Sequence, residues 1–212
     1  MNVFDIIGPV IIGPSSSHTA GAARMGRMAA ALFKEKPSKV IIKLHGSFAK
    51  TCVGHGTDRA IIGGLRGFDI DDERIKTGFE GADFSFSFVE VDFKDAHPNT
   101  AEIILENKRE KMTVRCASIG GGRIEVLAID GMEVSFSGEM DTLVIFHNDI
   151  KGAIANVTKI LADKNINIAS MKMFRVEKNR NAIMVIEMDS PVDCTDDIER
   201  LDYVSKAMVV KV

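Results

Sequence analysis

A histidine among hydroxyl side chains is the first feature of the chain that could do chemistry. Residues 13–21 read Gly-Pro-Ser-Ser-Ser-His-Thr-Ala-Gly, and the apolar run 20–33 predicts a helix. Serine and threonine ahead of a helix act as N-caps, and a helix N-terminus presents free N–H groups to an anion. An imidazole such as that of His18 titrates near neutral pH. The segment therefore indicates either a capped helix with a solvated turn or a site that binds a carboxylate or phosphate.

A second histidine repeats this arrangement further along the chain. The predicted strand 39–45 leads into a loop that ends in Gly-His-Gly-Thr-Asp at 54–58. The residues after this loop, 59–68, read as a helix with Thr57 or Asp58 as its N-cap. Turn, histidine, hydroxyl and helix therefore occur twice, and capping alone does not readily explain the repetition.

Two further polar segments could line the same site. His97-Pro98-Asn99-Thr100 reads as a tight turn, because the residue before a proline is held extended. The glycines at 120–122 interrupt a strand pattern. Three consecutive glycines indicate either close backbone approach around a pocket or a flexible turn.

Composition excludes several classes of protein. The chain has 212 residues, of which 45% are hydrophobic and 27% charged, as is ordinary for a globular protein of one or two domains. Its net charge of −3 argues against binding to nucleic acid, which requires a basic excess. The first residues lack the basic start of a signal peptide, and no apolar run reaches membrane-spanning length. We expect a cytoplasmic protein that binds neither membranes nor nucleic acid.

The three cysteines do not predict a metal site on this chain. Cys52, Cys116 and Cys194 are odd in number and more than sixty residues apart, which does not suggest a disulfide framework. Three thiolates could hold an iron–sulfur cluster with one open iron. Each cysteine nevertheless lies in or beside an apolar or strand-like stretch, without a second cysteine at a ligand-type spacing.

The elements that must position these residues follow from the hydrophobic pattern of the first part of the chain. A charged, glycine-bearing stretch at 69–83 reads as a surface connection, and the alternating strand from Phe84 changes parity near Phe88, which predicts a bulge there. The other predicted elements are a short strand or irregular lead-in at 4–12, a helix at 19–34, a hairpin of strands 100–106 and 112–119 over the turn 107–111, and strands at 123–129 and 133–136.

The pattern changes after Gly138. The predicted elements there are a strand at 141–146, a polar turn at 147–152, a helix at 153–164, a strand at 166–174, a hairpin turn at 177–181, a strand at 182–188, a helix at 195–201 and a strand at 203–210. This βαββαβ order is the ferredoxin-like arrangement. We therefore predict an α+β protein with a mixed α/β domain at 1–138 and a ferredoxin-like domain at 141–212.

Four motifs together resemble the β subunit of the two-subunit, iron–sulfur-dependent bacterial L-serine dehydratase. They are the serine-histidine segment 13–21, Gly-His-Gly-Thr-Asp at 54–58, His-Pro-Asn at 97–99 and Ser-Ile-Gly-Gly-Gly at 118–122. The segment 148–152, Asn-Asp-Ile-Lys-Gly, with the helix after it, resembles an ACT domain. The resemblance covers the whole chain, and its first domain is similar to the allosteric substrate-binding domain of some phosphoglycerate dehydrogenases.

The resemblance implies an L-serine ammonia-lyase that forms pyruvate and ammonia from L-serine without pyridoxal phosphate. In that family a [4Fe-4S] cluster is ligated by the α subunit, so this chain would be inactive without that partner. It would supply part of the active site but no metal ligand, and its ACT domain implies homodimerisation and a role in amino-acid metabolism.

The resemblance also implies roles for individual residues. Ser15, Ser16, Ser17 and Thr19 would face the substrate carboxylate, and His97 and Asn99 would line the active site. His55 and His18 are both candidates for the general base. His45 and His147 match no catalytic motif; we interpret them as a strand-end residue and as part of the ACT turn. An effector would bind at Asn148, Asp149 and Gly152.

A regulatory protein that senses serine without chemistry is the alternative function. In that case the serine-rich segment and the ACT turn would bind an amino acid through anion and ammonium contacts alone. The two histidines His55 and His97 beside the serine segment distinguish the two functions, since a lyase also needs a base.

Overall fold

The computed structural model describes residues 10–175, 177, 180–190 and 194–211. Within-chain contacts divide the molecule into two compact units, one ending at Gly131 and the other beginning at Met132. Most of the predicted lead-in at 4–12, and part of the hairpin turn at 177–181, lie outside the described residues. None of the helices in the described part of the chain is both long and apolar enough to span a bilayer.

From residue 10 onwards, the first unit contains four α-helices and a β-sheet. A π-helical turn, Ser16–Ala20, continues directly into the first α-helix. The elements that follow the π-turn are α1 (Gly21–Phe33), β1 (Lys39–His45), α2 (Gly46–Lys50), α3 (Cys52–His55), α4 (Thr57–Leu65), a 3-10 turn (Glu73–Thr77), β2 (Ser85–Val91), β3 (Thr100–Glu106), β4 (Lys111–Gly120) and β5 (Arg123–Ile129), and β6 (Met132–Phe136) comes next in the chain.

The sheet of this unit holds its strands in the order β2-β1-β3-β4-β5. β1 is parallel to β2 and antiparallel to β3. Alternate residues of β1 are buried, as expected for a strand with one face towards a core. Helix α1 packs against β3, β4 and β5, and α4 packs against α1. Phe33, Met25, Ile61 and Ile103 are fully buried in this core. The loops at the start of these helices and at one end of the strands carry the polar motifs.

Helices α1 and α4 cross at two glycines that leave no room for side chains. A Cβ atom on Gly26 would lie 2.2 Å from the Ile61 carbonyl oxygen, and one on Gly64 would lie 1.9 Å from the Ala23 carbonyl oxygen. This close crossing brings the N-terminal ends of the two helices near each other, and those ends carry the two candidate histidines.

Four predictions for this unit are corrected by the structure. The predicted helix 19–34 is the π-turn followed by α1, and the predicted helix 59–68 is α4, which ends at Leu65. The connection 69–83 is not wholly on the surface, because Ile75 of its 3-10 turn is buried. The bulge near Phe88 is absent, since β2 pairs with β1 in unbroken register. The parity changes because β2 is an edge strand, on which Val89 is 44% exposed.

The second unit has the predicted ferredoxin-like order. Its elements are β7 (Asp141–Asn148), α5 (Ala153–Asp163), β8 (Ile168–Arg175), β9 (Asn181–Met188), α6 (Thr195–Glu199) and β10 (Val204–Val210). The sheet order is β10-β7-β9-β8, and Leu143, Val157, Met184 and Ile198 lie in its core. His147 belongs to the end of β7 rather than to the predicted turn, and it is only 3% exposed.

Candidate active site

The serine segment forms the N-terminus of the long helix made by the π-turn and α1. The Ser15 hydroxyl oxygen accepts a hydrogen bond from the His18 N–H at 3.1 Å and so caps the turn. The Ser17 hydroxyl lies 3.0 Å from Nδ1 of His18. Of the three serine hydroxyls, only that of Ser16 has no hydrogen-bond partner among the described residues. The capping predicted from the sequence is present, and one hydroxyl remains free for a ligand.

The imidazole of His18 is held at both nitrogens. Its Nδ1 contacts the Ser17 hydroxyl, and its Nε2 lies 2.9 Å from the hydroxyl of Ser47 at the start of α2. The ring also packs against Phe48, with 5.3 Å between ring centroids. Burial, and secondarily the positive charge of protonated His55, lower the pKa of His18 below its usual value. His18 is therefore a fixed, neutral group near pH 7.

His55 faces His18 but is bound differently. The two ring centroids are 4.9 Å apart, and the Thr19 hydroxyl donates to the backbone carbonyl of His55 at 2.9 Å. Nδ1 of His55 is buried without a hydrogen-bond partner, and no residue of the described chain hydrogen-bonds its other nitrogen. His55 is the last residue of α3, and Gly56, in the left-handed conformation, is the cap residue between α3 and α4. The two histidine segments predicted from the sequence therefore meet.

The third motif supports the site through its backbone. The Pro98 carbonyl accepts the Ser47 N–H at 2.8 Å, and the Asn99 carbonyl accepts the Ser118 N–H at 3.0 Å. The ring of His97 is exposed, and its Nδ1 accepts the N–H of Asn99. The turn thus holds Ser47 beside His18, whereas the His97 ring binds its own loop.

The fourth motif lies against the start of α1. Ser118 is fully buried, its hydroxyl has no partner among the described residues, and a Cβ on Gly21 would lie 2.2 Å from it. The glycine triplet 120–122 has positive φ throughout, and Arg24 donates from Nη1 to the Gly122 carbonyl at 3.0 Å. The triplet is therefore a tight left-handed turn bound to α1, with an unpaired buried hydroxyl beside it.

A cavity of about 170 Å³ opens beside His55. Its wall includes Gly13 and Pro14 just before the serines, Thr19 just after His18, and His55. The remaining lining residues are Ile12, Val53, Gly54, Gly56, Arg59, Ile75 and Lys76. This cavity is large enough for several water molecules, each of which takes ~30 Å³ in the liquid, and so for a small ligand.

Comparison with known proteins places this site in a family. A family model described as serine dehydratase beta chain matches residues 2–81, and one described as ACT domain matches residues 142–199. A probable L-serine dehydratase, beta chain, of Bacillus subtilis is 47% identical over 91% of this chain and 89% of its own length. The chain belongs to the L-serine dehydratase β-chain family.

Two further relatives of this β chain are informative. The L-serine dehydratase, beta chain, of Peptoniphilus asaccharolyticus is 36% identical over 90% of this chain and 88% of its own length. A D-3-phosphoglycerate dehydrogenase of Bacillus subtilis is 27% identical over 79% of this chain but only 33% of its own length. The resemblance predicted from the motifs is confirmed, including the α+β class with a C-terminal ACT domain.

The cysteines of the β chain do not fit the ligation of an iron–sulfur cluster by this chain alone. Cys116 is fully buried in β4, and burial raises the pKa of its thiol to about 12. Burial and the nearby Asp58 raise the pKa of the Cys52 thiol to about 11, whereas metal ligation needs thiolates. Cys194 is buried in the core of the other unit. Within the described ranges, no group of three His, Cys, Asp or Glu side chains is placed to hold a metal ion.

The ACT turn, residues 148–152, is held in place at the end of β7 by a backbone hydrogen bond and an ion pair. The N–H of Asn148 donates to the Tyr203 carbonyl at 2.8 Å, and Asp149 is ion-paired with Arg175 at 2.7 Å. Gly152, with φ +86°, is the N-cap residue of α5. The residues predicted to bind an effector therefore lie together, but the carboxylate of Asp149 already has a cationic partner.

Proposed function

We propose that this chain is the β subunit of an L-serine dehydratase, which forms pyruvate and ammonia from L-serine together with an α subunit. The observation that carries the proposal is the contact between the segments of His18 and His55 at the N-terminus of the helix made by the π-turn and α1. The chain that holds this contact belongs to the L-serine dehydratase β-chain family. The resemblance implies a [4Fe-4S] cluster on the α partner, and the buried or half-buried, protonated cysteines of this chain support that location. When bound there, the cluster supplies a Lewis acid for the leaving hydroxyl.

In the proposed reaction, this chain binds the carboxylate of L-serine and accepts its Cα proton. Loss of the Cα proton and of the β-hydroxyl from serine gives 2-aminoacrylate, which tautomerises and is hydrolysed to pyruvate and ammonia. A group near the substrate must take the Cα proton. A polar surface must also hold the carboxylate, so that the proton faces this group.

We assign the base to His55. A general base needs an unprotonated ring nitrogen within reach of the substrate. His18 uses both ring nitrogens on the hydroxyls of Ser17 and Ser47, whereas neither nitrogen of His55 is hydrogen-bonded among the described residues. His55 also lines the cavity. His18 instead fixes the position of the serine segment, and its lowered pKa keeps it uncharged near the base.

The serine segment binds the carboxylate. Its Ser16 hydroxyl is free, and it stands at the N-terminus of a helix that runs to Phe33, where the helix dipole favours negative charge. Ser15, Ser17 and Thr19 keep the segment in shape through their bonds to His18 and His55. His97 and Asn99 line the site chiefly through the loop that supports Ser47.

The experiment compares the two histidines in the assembled α and β subunits. His55→Ala should lower kcat about 10²- to 10⁴-fold, the usual cost of losing a general base, with little change in KM. Ser16→Ala removes a contact made in both the ground and transition states, so KM should rise while kcat changes less. Cα-deuterated L-serine should show a larger isotope effect on kcat in any variant with slowed proton removal.

His45→Gln is the control, because His45 binds the Phe93 N–H outside the cavity. Near-normal kcat in His55→Ala would move the base to His18, His97 or the α subunit. An assembly that binds L-serine but releases no pyruvate would instead support the serine-sensing function, which the relationship to phosphoglycerate dehydrogenase favours.

A further inference from the structure

The cavity beside His55 has a distinctly basic wall. Arg59, in the first turn of α4, and Lys76, in the 3-10 turn, both line it, and no acidic side chain does. The 3-10 turn packs on α4 so closely that a Cβ on Gly78 would lie 2.1 Å from the Arg59 carbonyl oxygen. The two cationic residues are therefore held on neighbouring elements around one space.

Arg59 is available to a ligand. Its backbone N–H donates to the Asp58 carboxylate at 2.8 Å, but in the described part of the chain its guanidinium makes no hydrogen bond or ion pair. Lys76 contacts Glu73 at 2.5 Å, yet both side chains are well over half exposed. Such an exposed ion pair contributes little, so Lys76 can also interact with a ligand.

The position of the cavity relates these cations to the reaction. Its wall contains His55, the residues Gly13 and Pro14 that precede the three serines, and Thr19, which follows His18, so a ligand inside it lies against the assigned base and both ends of the serine segment. Helix N–H groups and hydroxyls supply hydrogen bonds to a carboxylate but no full positive charge. An arginine binds a carboxylate through parallel, charge-assisted hydrogen bonds, which are stronger than neutral ones.

We propose that Arg59, assisted by Lys76, is the cationic anchor for the carboxylate of the amino-acid substrate and so sets specificity for α-carboxylates over neutral analogues. This inference rests on the proposed function, because it identifies the ligand of the cavity with the substrate of the lyase. It adds a charge-based contact to the neutral contacts of the serine segment.

The assembled enzyme tests the anchor by kinetics. Arg59→Gln should raise KM for L-serine about 10- to 100-fold, as expected for one hydrogen bond to a charged group, with a smaller change in kcat. Arg59→Lys should recover part of that loss, and Lys76→Gln should raise KM less. The matched control is Arg109→Gln, an exposed, ion-paired arginine in the turn at the opposite end of β3, which should leave KM unchanged.

Direct binding to the full-length β chain separates this inference from the lyase assignment. The probe is propanoate, followed by NMR shifts of the Gly54 and Gly56 amides, with propanamide as the uncharged comparison. Propanoate alone should shift these signals in the wild-type chain, and Arg59→Gln should abolish the shift.

The two experiments distinguish a failure of the Arg59 anchor from a failure of the lyase assignment. If Arg59→Gln leaves both KM and the propanoate shifts unchanged while His55→Ala remains inactive, the anchor is wrong and the lyase assignment stands. If the assembly releases no pyruvate but propanoate binding depends on Arg59, the lyase assignment fails and the carboxylate site stands.

Discussion

At the scale of single residues, two chemically identical side chains acquire different properties from their hydrogen-bond partners. His18 has a hydroxyl at each ring nitrogen, so its orientation is fixed and it has little freedom to exchange a proton with a ligand. His55, whose ring centroid lies 4.9 Å away, has no hydrogen bond at either ring nitrogen from the residues that the structure describes. The fixed, neutral imidazole of His18 next to the unbound imidazole of His55 is a suitable arrangement, because one ring supports the segment while the other can serve as the base.

The lowered pKa of His18 predicts a pH dependence of folding. Burial and His55 disfavour the protonated form in the folded chain, whereas the unfolded chain titrates near pH ~6.5. Stability should therefore be fully present above about pH 6.5 and decrease as the pH falls from there towards the lower folded-state pKa. Urea unfolding of the wild-type chain and of His18→Asn between pH 5 and 8 measures this effect, and the difference between the two curves isolates His18. If the free energy of unfolding depends on pH in the same way for both proteins, His18 has the same pKa in the folded and unfolded chains and the prediction is wrong.

Residue types in the motifs were sufficient to predict the site only in part. The serines, His18, His55 and the capping role of the segment are visible in the sequence because they are local. Ser47 was missed, because it reaches His18 across 29 residues through the turn at Pro98. The sequence indicated Ser47 only weakly, because a single serine after a glycine at the end of a predicted strand is not a recognisable motif. The anchor Arg59 was likewise read only as the start of a helix.

At the scale of secondary-structure elements, the crossing of α1 and α4 positions both histidines. The crossing depends on glycines, and the same helix supplies a matched comparison. A Cβ on Gly64 would lie 1.9 Å from the Ala23 carbonyl oxygen, whereas one on Gly63 would meet nothing closer than 3.4 Å, at a Phe68 ring carbon. Two adjacent glycines in one helix thus differ sharply in the space around them.

Gly64→Ala should therefore destabilise the chain by about 1–3 kcal/mol or more, because the backbones of the two helices must move apart. Gly63→Ala should be neutral or stabilise by up to about 1 kcal/mol, since alanine is the better helix former. Urea denaturation followed by circular dichroism measures both. Equal stability of the two variants would mean that the helices can separate without cost. In the assembled enzyme Gly64→Ala should also lower activity, since it moves His18 relative to His55.

Most elements were predictable because their patterns are local. The hairpin of β3 and β4, strand β5 and the whole βαββαβ order followed from periodicity and turn residues, and the structure reproduces them within a few residues. The errors arose where tertiary context decides. The predicted bulge in β2 came from a parity change that an edge strand tolerates, and the π-turn replaces the first helical turn because its serines and histidine bond one another.

At the scale of the whole molecule, function depends on contacts that no local pattern encodes. Thr19 bonds His55 across 36 residues, and Arg24 bonds Gly122 across 98. The motifs could be recognised together from the resemblance to a family, but their convergence is a property of the folded chain. The division at 1–138 and 141–212 stays a prediction; the compact units separate a few residues earlier, after Gly131.

The ACT domain should form a homodimer in solution. It leaves Ile150, Ile154 and Met171 40–45% exposed, and a sheet with open edge strands is prone to pair with another copy. Ile154→Lys should weaken the dimer measurably in multi-angle light scattering at micromolar concentration. The control is Val89→Lys, an equally exposed apolar residue on β2 of the other unit, which should leave the mass unchanged. A monodisperse wild-type monomer would contradict the prediction.

The last prediction concerns the chain without its partner. Anaerobic reconstitution of the β chain with iron and sulfide should leave it colourless and without dehydratase activity, because cluster ligation requires accessible thiolates. Burial raises the thiol pKa of Cys116 to about 12, that of Cys52 is raised to about 11, and Cys194 lies in the core of the second unit. Adding the α subunit should give both the cluster absorbance and pyruvate formation. A stable absorbance on the β chain alone that disappears in Cys52→Ser would place a ligand on this chain and overturn the assignment of the cluster to the partner.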